Sequence, residues 1–113
     1  MINNEKLKIL LDFLKDKKLL SLKVLHISQI SILADYFVII SMQNQRGIES
    51  LENDICDLMY EHNFTLKNKE GNHSKWILLD FNDIVIHLFD NEYRELYNIE
   101  KIWADAKEVK LED

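Results

Sequence analysis

Residues 76–89 read WILLDFNDIVIHLF, two extended apolar runs joined by a short polar step. Trp76 to Leu79 and Ile84 to Phe89 are rich in β-branched and aromatic residues, the composition that favours strands. The step between them holds Asp80, Phe81, Asn82 and Asp83. Asn tolerates positive φ and Asp favours turns, so the segment reads as a β-hairpin. If Phe81 and Asn82 form a two-residue turn, Asp80 pairs with Asp83, Leu78 with Val85, and Trp76 with His87. One face then carries Ile77, Leu79, Ile84 and Ile86 and must be buried. The other presents Trp76, Leu78, Val85 and His87 beside two carboxylates. A three-residue turn with Asn82 in the left-handed conformation would instead put Trp76 opposite Leu88 and exchange the faces.

Working outward from the hairpin, Leu7, Leu10, Leu11 and Leu14 recur at helical spacing among charged residues, predicting a helix over 4–17. Leu22 to His26 and Tyr36 to Ser41 read as strands, with a turn over residues 28–31. Asn44 is placed to cap a second helix over 45–62, whose inward face holds Ile48, Leu51, Ile55, Leu58 and Met59. A short strand is expected at 64–66 and an exposed polar loop around Gly71 at 67–74. Asp90 can cap a last helical region with Leu96, Ile99 and Trp103 facing inward. The order predicts an α+β fold: one domain over residues 1–113, a mixed, mostly antiparallel sheet flanked by helices.

Composition removes several function classes. A length of 113 residues, 47% of them hydrophobic, suffices for one core but not two. No stretch approaches the roughly 18 uninterrupted apolar residues of a membrane span. Residues 1–6 lack the basic start and apolar centre of a secretory signal, so a cytoplasmic location is expected. A net charge of -6 disfavours sequence-independent attachment to phosphate backbones and makes a basic protein the better partner. Cys56 is the only cysteine. The four histidines, at 26, 62, 73 and 87, fall in separate elements without ligand spacing, so no metal site is expected. No glycine-rich loop is present to cradle phosphates, and no cofactor is expected.

The polar face of the hairpin is therefore the candidate working surface. Trp76 is either an ordinary core aromatic or an interface anchor. Asp80 and Asp83, if directly opposed, repel and call for a cation; otherwise they simply tighten the turn. Arg46 and Arg94 are the only arginines, and pairing of Arg94 with either aspartate would relieve that repulsion.

Three ordered blocks give this chain a resemblance to the ribosomal silencing factor (RsfS, or Iojap-like) family from about Leu7 to Ala106. The first is Ala34-Asp35-Tyr36-Phe37-Val38-Ile39 with Ser41 and Arg46. The second is Trp76 to Asp80, Asp83 to His87 and Phe89. The third comprises Glu92, Arg94, Tyr97, Glu100, Trp103, Asp105 and Ala106. The resemblance implies a nucleotidyltransferase-like fold without the Gly-Ser and Asp-x-Asp signatures of active enzymes. It also implies binding to the large ribosomal subunit through ribosomal protein number fourteen. Small-subunit joining would thereby be blocked and translation repressed when nutrients are scarce. On that reading Trp76, Leu78, Asp80, Asp83, His87, Glu92 and Arg94 form the protein-binding surface, and no catalysis is involved. The alternatives are a homodimeric interaction module and a nucleotidyltransferase holding Mg²⁺ on Asp80 and Asp83. The chain departs from the family pattern at three positions. Gly47 stands where His or Gln is frequent, while Met42 and Asn82 each replace a usual glycine.

Overall fold

The computed structural model describes residues 4–28, 34–71, 76–90 and 107–108. Among these residues eight elements follow one another: α1 (Glu5–Leu14), β1 (Ser21–His26), β2 (Tyr36–Met42), α2 (Gln45–Glu61), β3 (Asn68–Glu70), β4 (Trp76–Asp80), β5 (Ile84–Asp90) and β6 (Lys107–Glu108). The strands form one sheet in the order β3-β4-β5-β2-β1-β6. All neighbours are antiparallel except the central pair, β2 and β5, which runs parallel with Val38 opposite Ile86. Such a pair cannot be joined by a tight turn, and α2, β3 and β4 lie in the connection. Central position explains the composition of β5, every residue of which is buried.

Both described helices lie on one face of the sheet. Asn4 caps α1 by accepting the Leu7 N–H at 3.0 Å, and Leu7, Leu10 and Leu14 bury its inner stripe. The helix ends at Leu14, short of the expected residue 17, because the apolar stripe stops there. Asn44 caps α2 at the Gly47 N–H, 2.8 Å away. Ile48, Leu51, Ile55 and Met59 of α2 meet Val38, Ile40, Ile77, Leu79, Phe81, Ile84, Ile86 and Leu88 of the sheet. Burying one such side chain contributes about 1.5–3 kcal/mol.

The expected strand at 64–66 is not formed. Asn63, at φ 64°, takes the left-handed position after α2. Its N–H donates to the Tyr60 carbonyl and that of Phe64 to the Met59 carbonyl, a Schellman closure. Phe64 is consumed in that closure and packs on the core. The strand forms instead at β3, within the stretch expected to be a loop. Lys69 there reaches across to Glu52 of α2, a carboxylate that is itself buried.

The hairpin register differs from both expected alternatives. Asn82, at φ 80°, and Asp83 are the turn residues, and the Phe81 N–H donates to the Ile84 carbonyl at 2.8 Å. Trp76 lies opposite Phe89, Leu78 opposite His87, and Asp80 opposite Val85. Phe81 decides the register: at a turn centre it would face water, whereas here it is among the largest fully buried side chains. The pairing has slipped by two residues relative to the two-residue expectation, and an even slip preserves the faces. Trp76, Leu78, Val85 and His87 therefore share a face as expected, but Asp80 and Asp83 do not oppose each other. The expected turn at 28–31 lies mostly, and the last helical region wholly, outside the described residues.

Candidate functional site

The sheet face opposite α1 and α2 holds a second cluster of Leu25, Ile27, Ala34, Phe37, Ile39, Val85 and Phe89. Trp76 and Leu78 of β4 pack against its margin and are only partly buried. Asp80, also half-buried, continues the row. Next to β4, the register of β3 sets Glu70 beside Leu78 and Asn68 beside Asp80, both exposed. The outer part of this face thus reads Trp76, Leu78, Asp80, Glu70 and Asn68. It combines an aromatic and an aliphatic surface with two carboxylates.

Trp76 is held from beneath. Its indole stacks on Phe89, with centroids 5.0 Å apart, and its Nε1–H donates to His87 Nδ1 at 3.2 Å. His87 is only 3% exposed and meets the Phe37 ring edge-on at 4.7 Å. Burial pushes its imidazole pKa down to about 4, so the ring is neutral near pH 7. Because Nδ1 accepts, the ring proton resides on Nε2. That buried N–H has no hydrogen-bond partner among the described residues.

The two aspartates have separate duties. Asp80 accepts the Asn82 N–H at 2.8 Å and so fixes the start of the turn. Asp83 faces α1, where Lys6 Nζ approaches to 2.6 Å and Asn4 donates at 2.7 Å. Burial would push the Asp83 carboxyl up, but these hydrogen bonds and the Lys6 charge outweigh it and hold the pKa below its ordinary value. Lys6 also donates to the Phe81 carbonyl at 2.9 Å and lies over the Phe64 ring. The cation beside Asp83 is thus Lys6, while Arg94 and Glu92 lie outside the described residues. Asp80 and Asp83 do not pair across the hairpin, and among the described residues no group of three or more potential metal ligands converges.

Glu70 and Asn68 were missed because a polar run around Gly71 carries no strand signal. Glu52 could have been found, since it sits between Ile48 and Ile55 on the apolar stripe of α2, where a carboxylate needs a cation. Its approach raises no nucleophile nearby: burial pushes the Cys56 thiol up, away from the thiolate.

The family model described as "Ribosomal silencing factor during starvation" matches residues 2–113. The chain is 32% identical over 113 residues to the ribosomal silencing factor RsfS of Halalkalibacterium halodurans, covering 99% of this chain and 97% of that one. A crystal structure of a Bacillus halodurans protein superposes with a TM-score of 0.83 at 28% identity, covering 96% of this chain and all of that one. The mouse protein named mitochondrial assembly of ribosomal large subunit protein 1 is 35% identical over 78 residues, which are 62% of this chain and 32% of that protein. With the match running through both helices and the β4–β5 hairpin, the chain belongs to the ribosomal silencing factor family.

Proposed function

We propose that this protein binds the large ribosomal subunit through ribosomal protein number fourteen and acts as a steric block. Occupying the face where the small subunit docks, it prevents subunit joining and represses translation under nutrient limitation, in the cytoplasm. The family match over residues 2–113 carries this reading. The name of the mouse relative, which refers to the ribosomal large subunit, supports the choice of subunit.

The geometry of β4 fits the task. An aromatic flanked by aliphatic and acidic groups is the composition of a protein-binding hot spot aimed at a basic partner. Trp76 and Leu78 supply apolar contact, and Asp80 and Glu70 meet cationic side chains. Asp83 supports the surface by fixing the turn to α1. The family resemblance gives Glu92 and Arg94, outside the described residues, a part in the same binding. Blocking needs occupancy only, so no catalytic group is required.

Cosedimentation of the full chain with purified large subunits tests this. Trp76→Ala and Asp80→Lys should each abolish it while circular dichroism stays unchanged, and light scattering should then detect restored subunit joining. Undiminished cosedimentation of both variants sinks the reading. A homodimeric module is the second reading, favoured by the place of β3 at the open end of the sheet. Concentration-dependent mass from light scattering would reveal it.

A further inference from the structure

His87 sits beneath the proposed docking surface and cannot itself reach a partner, since it is 3% exposed. Its presence there needs another explanation. A leucine of similar volume would fill the space between Phe37, Trp76 and Phe89 without introducing a polar atom. The imidazole instead brings a buried Nε2–H that is unsatisfied among the described residues. Such a group is destabilising. What imidazole offers and leucine does not is an acceptor at Nδ1, on which the Trp76 indole N–H is seated.

We infer that His87 is a positioning residue for docking: through Nδ1 and its ring it fixes the Trp76 indole in one orientation, so that this side chain meets the partner already ordered. The inference rests on the proposed role of Trp76. An aromatic anchor ordered before contact loses less rotamer freedom on binding. Phe89 restrains the tilt of the indole by stacking, but a flip about χ2 would keep the ring in the same plane while moving its N–H to the other side. The hydrogen bond to His87 closes that freedom.

A double-mutant cycle with the full chain and purified large subunits tests the pair. Trp76→Ala should weaken binding by about 30-fold or more, the loss typical of a hot-spot aromatic. His87→Leu and Trp76→Phe each remove the hydrogen bond from one side and should weaken binding about threefold to tenfold. The double variant should bind no worse than the weaker single one. His87→Asn places a carbonyl oxygen near the Nδ1 position and should recover most of the affinity. In ¹H–¹⁵N spectra the Trp76 indole signal, assigned by its loss in Trp76→Phe, should shift and exchange faster in His87→Leu. The urea midpoint of His87→Leu should not fall, because the unsatisfied N–H has gone. A purely structural histidine predicts the opposite: a lowered midpoint, and additive losses in the cycle. Strict additivity, or His87→Asn as weak as His87→Leu, overturns the inference while leaving Trp76 as a contact. If Trp76→Ala binds normally, the docking reading falls and the inference falls with it.

Discussion

The two faces of the sheet are built from the same strands yet differ in kind. Toward α1 and α2, β4 and β5 present Ile77, Leu79, Ile84, Ile86 and Leu88, joined by Phe81 from the connection between them, every one of them buried. On the opposite face the same strands present Trp76, Leu78, Asp80, Val85, His87 and Phe89, where burial is graded and aromatic, acidic and imidazole groups are mixed. The first arrangement maximises apolar burial. The second accepts an unsatisfied N–H and a half-buried tryptophan, features that packing alone would remove. Alternation along a strand therefore separates, within seven residues, a stabilising surface from the one proposed to recognise a partner.

Substitutions that cross this divide should give the largest contrast. Leu79→Ala empties a fully buried site facing the helices and should cost about 2–5 kcal/mol in urea unfolding. Leu78→Ala, one residue away on the other face and only half-buried, should cost less than half as much while weakening large-subunit binding. Equal destabilisation by both would dissolve the distinction between the faces.

Acidification probes the second face through His87. Its folded pKa of about 4 lies below the ordinary 6.5, so between those values the unfolded chain binds a proton that the folded chain refuses. Stability therefore falls as the pH drops from 6.5 towards 4, by up to about 3 kcal/mol. Asp83 acts in the same direction at lower pH: its depressed carboxyl stabilises the fold above the unfolded pKa, and that contribution is lost as the pH falls through the folded one. Chemical denaturation at a series of pH values should show the first decline in the native protein and its absence in His87→Leu. A flat profile for the native protein would contradict the neutral, buried imidazole.

On the first face, the clamp from α1 is a smaller effect. Lys6→Met keeps the aliphatic stem over Phe64 but removes the ammonium from Asp83 and from the Phe81 carbonyl. A loss of about 1–2 kcal/mol is expected, since the pair is partly exposed. Titration by NMR should place the Asp83 carboxyl higher than in the native protein.

The contrast between faces also explains what the sequence disclosed. Alternation of apolar and polar side chains survives any even change of register, so the partition of Trp76, Leu78 and His87 from Ile77, Leu79 and Ile86 was readable although the pairing was not. The register depended on whether Phe81 could be spared from the core, a tertiary demand that the turn propensities of Asn82 and Asp83 do not express. The boundaries of α2 were legible because Asn44 marks its start and Met59 ends its apolar stripe. The edge strand β3 was invisible because an edge tolerates charged side chains and needs no apolar alternation. The parallel pairing of β2 with β5 joins residues far apart in the chain, and local pattern carries no record of it. Of the proposed surface, Trp76, Leu78 and Asp80 were legible, whereas Glu70 arrived only with the sheet order.

The smallest effect tests whether two departures from the family pattern are one. A Cβ built on Gly47 would lie 3.2 Å from the terminal methyl carbon of Met42 and 3.5 Å from Asn44 Oδ1. The side chain at position 42 thus occupies space that a side chain at 47 would enter, which matches the family pattern of glycine at the first position and His or Gln at the second. Gly47→His alone must displace the flexible Met42 side chain, offsetting the gain of about 0.5 kcal/mol from replacing glycine within a helix. Met42→Gly alone removes a partly buried side chain from the strand end and is destabilising. Together they should be less harmful than their separate effects imply, with a coupling of about 0.5–1 kcal/mol in a urea double-mutant cycle. Additivity would mean that Met42 moves aside freely and that the two positions are energetically independent. Coupling would mean that the two side chains compete for one volume at the start of α2, which in this chain is filled from the strand side by Met42.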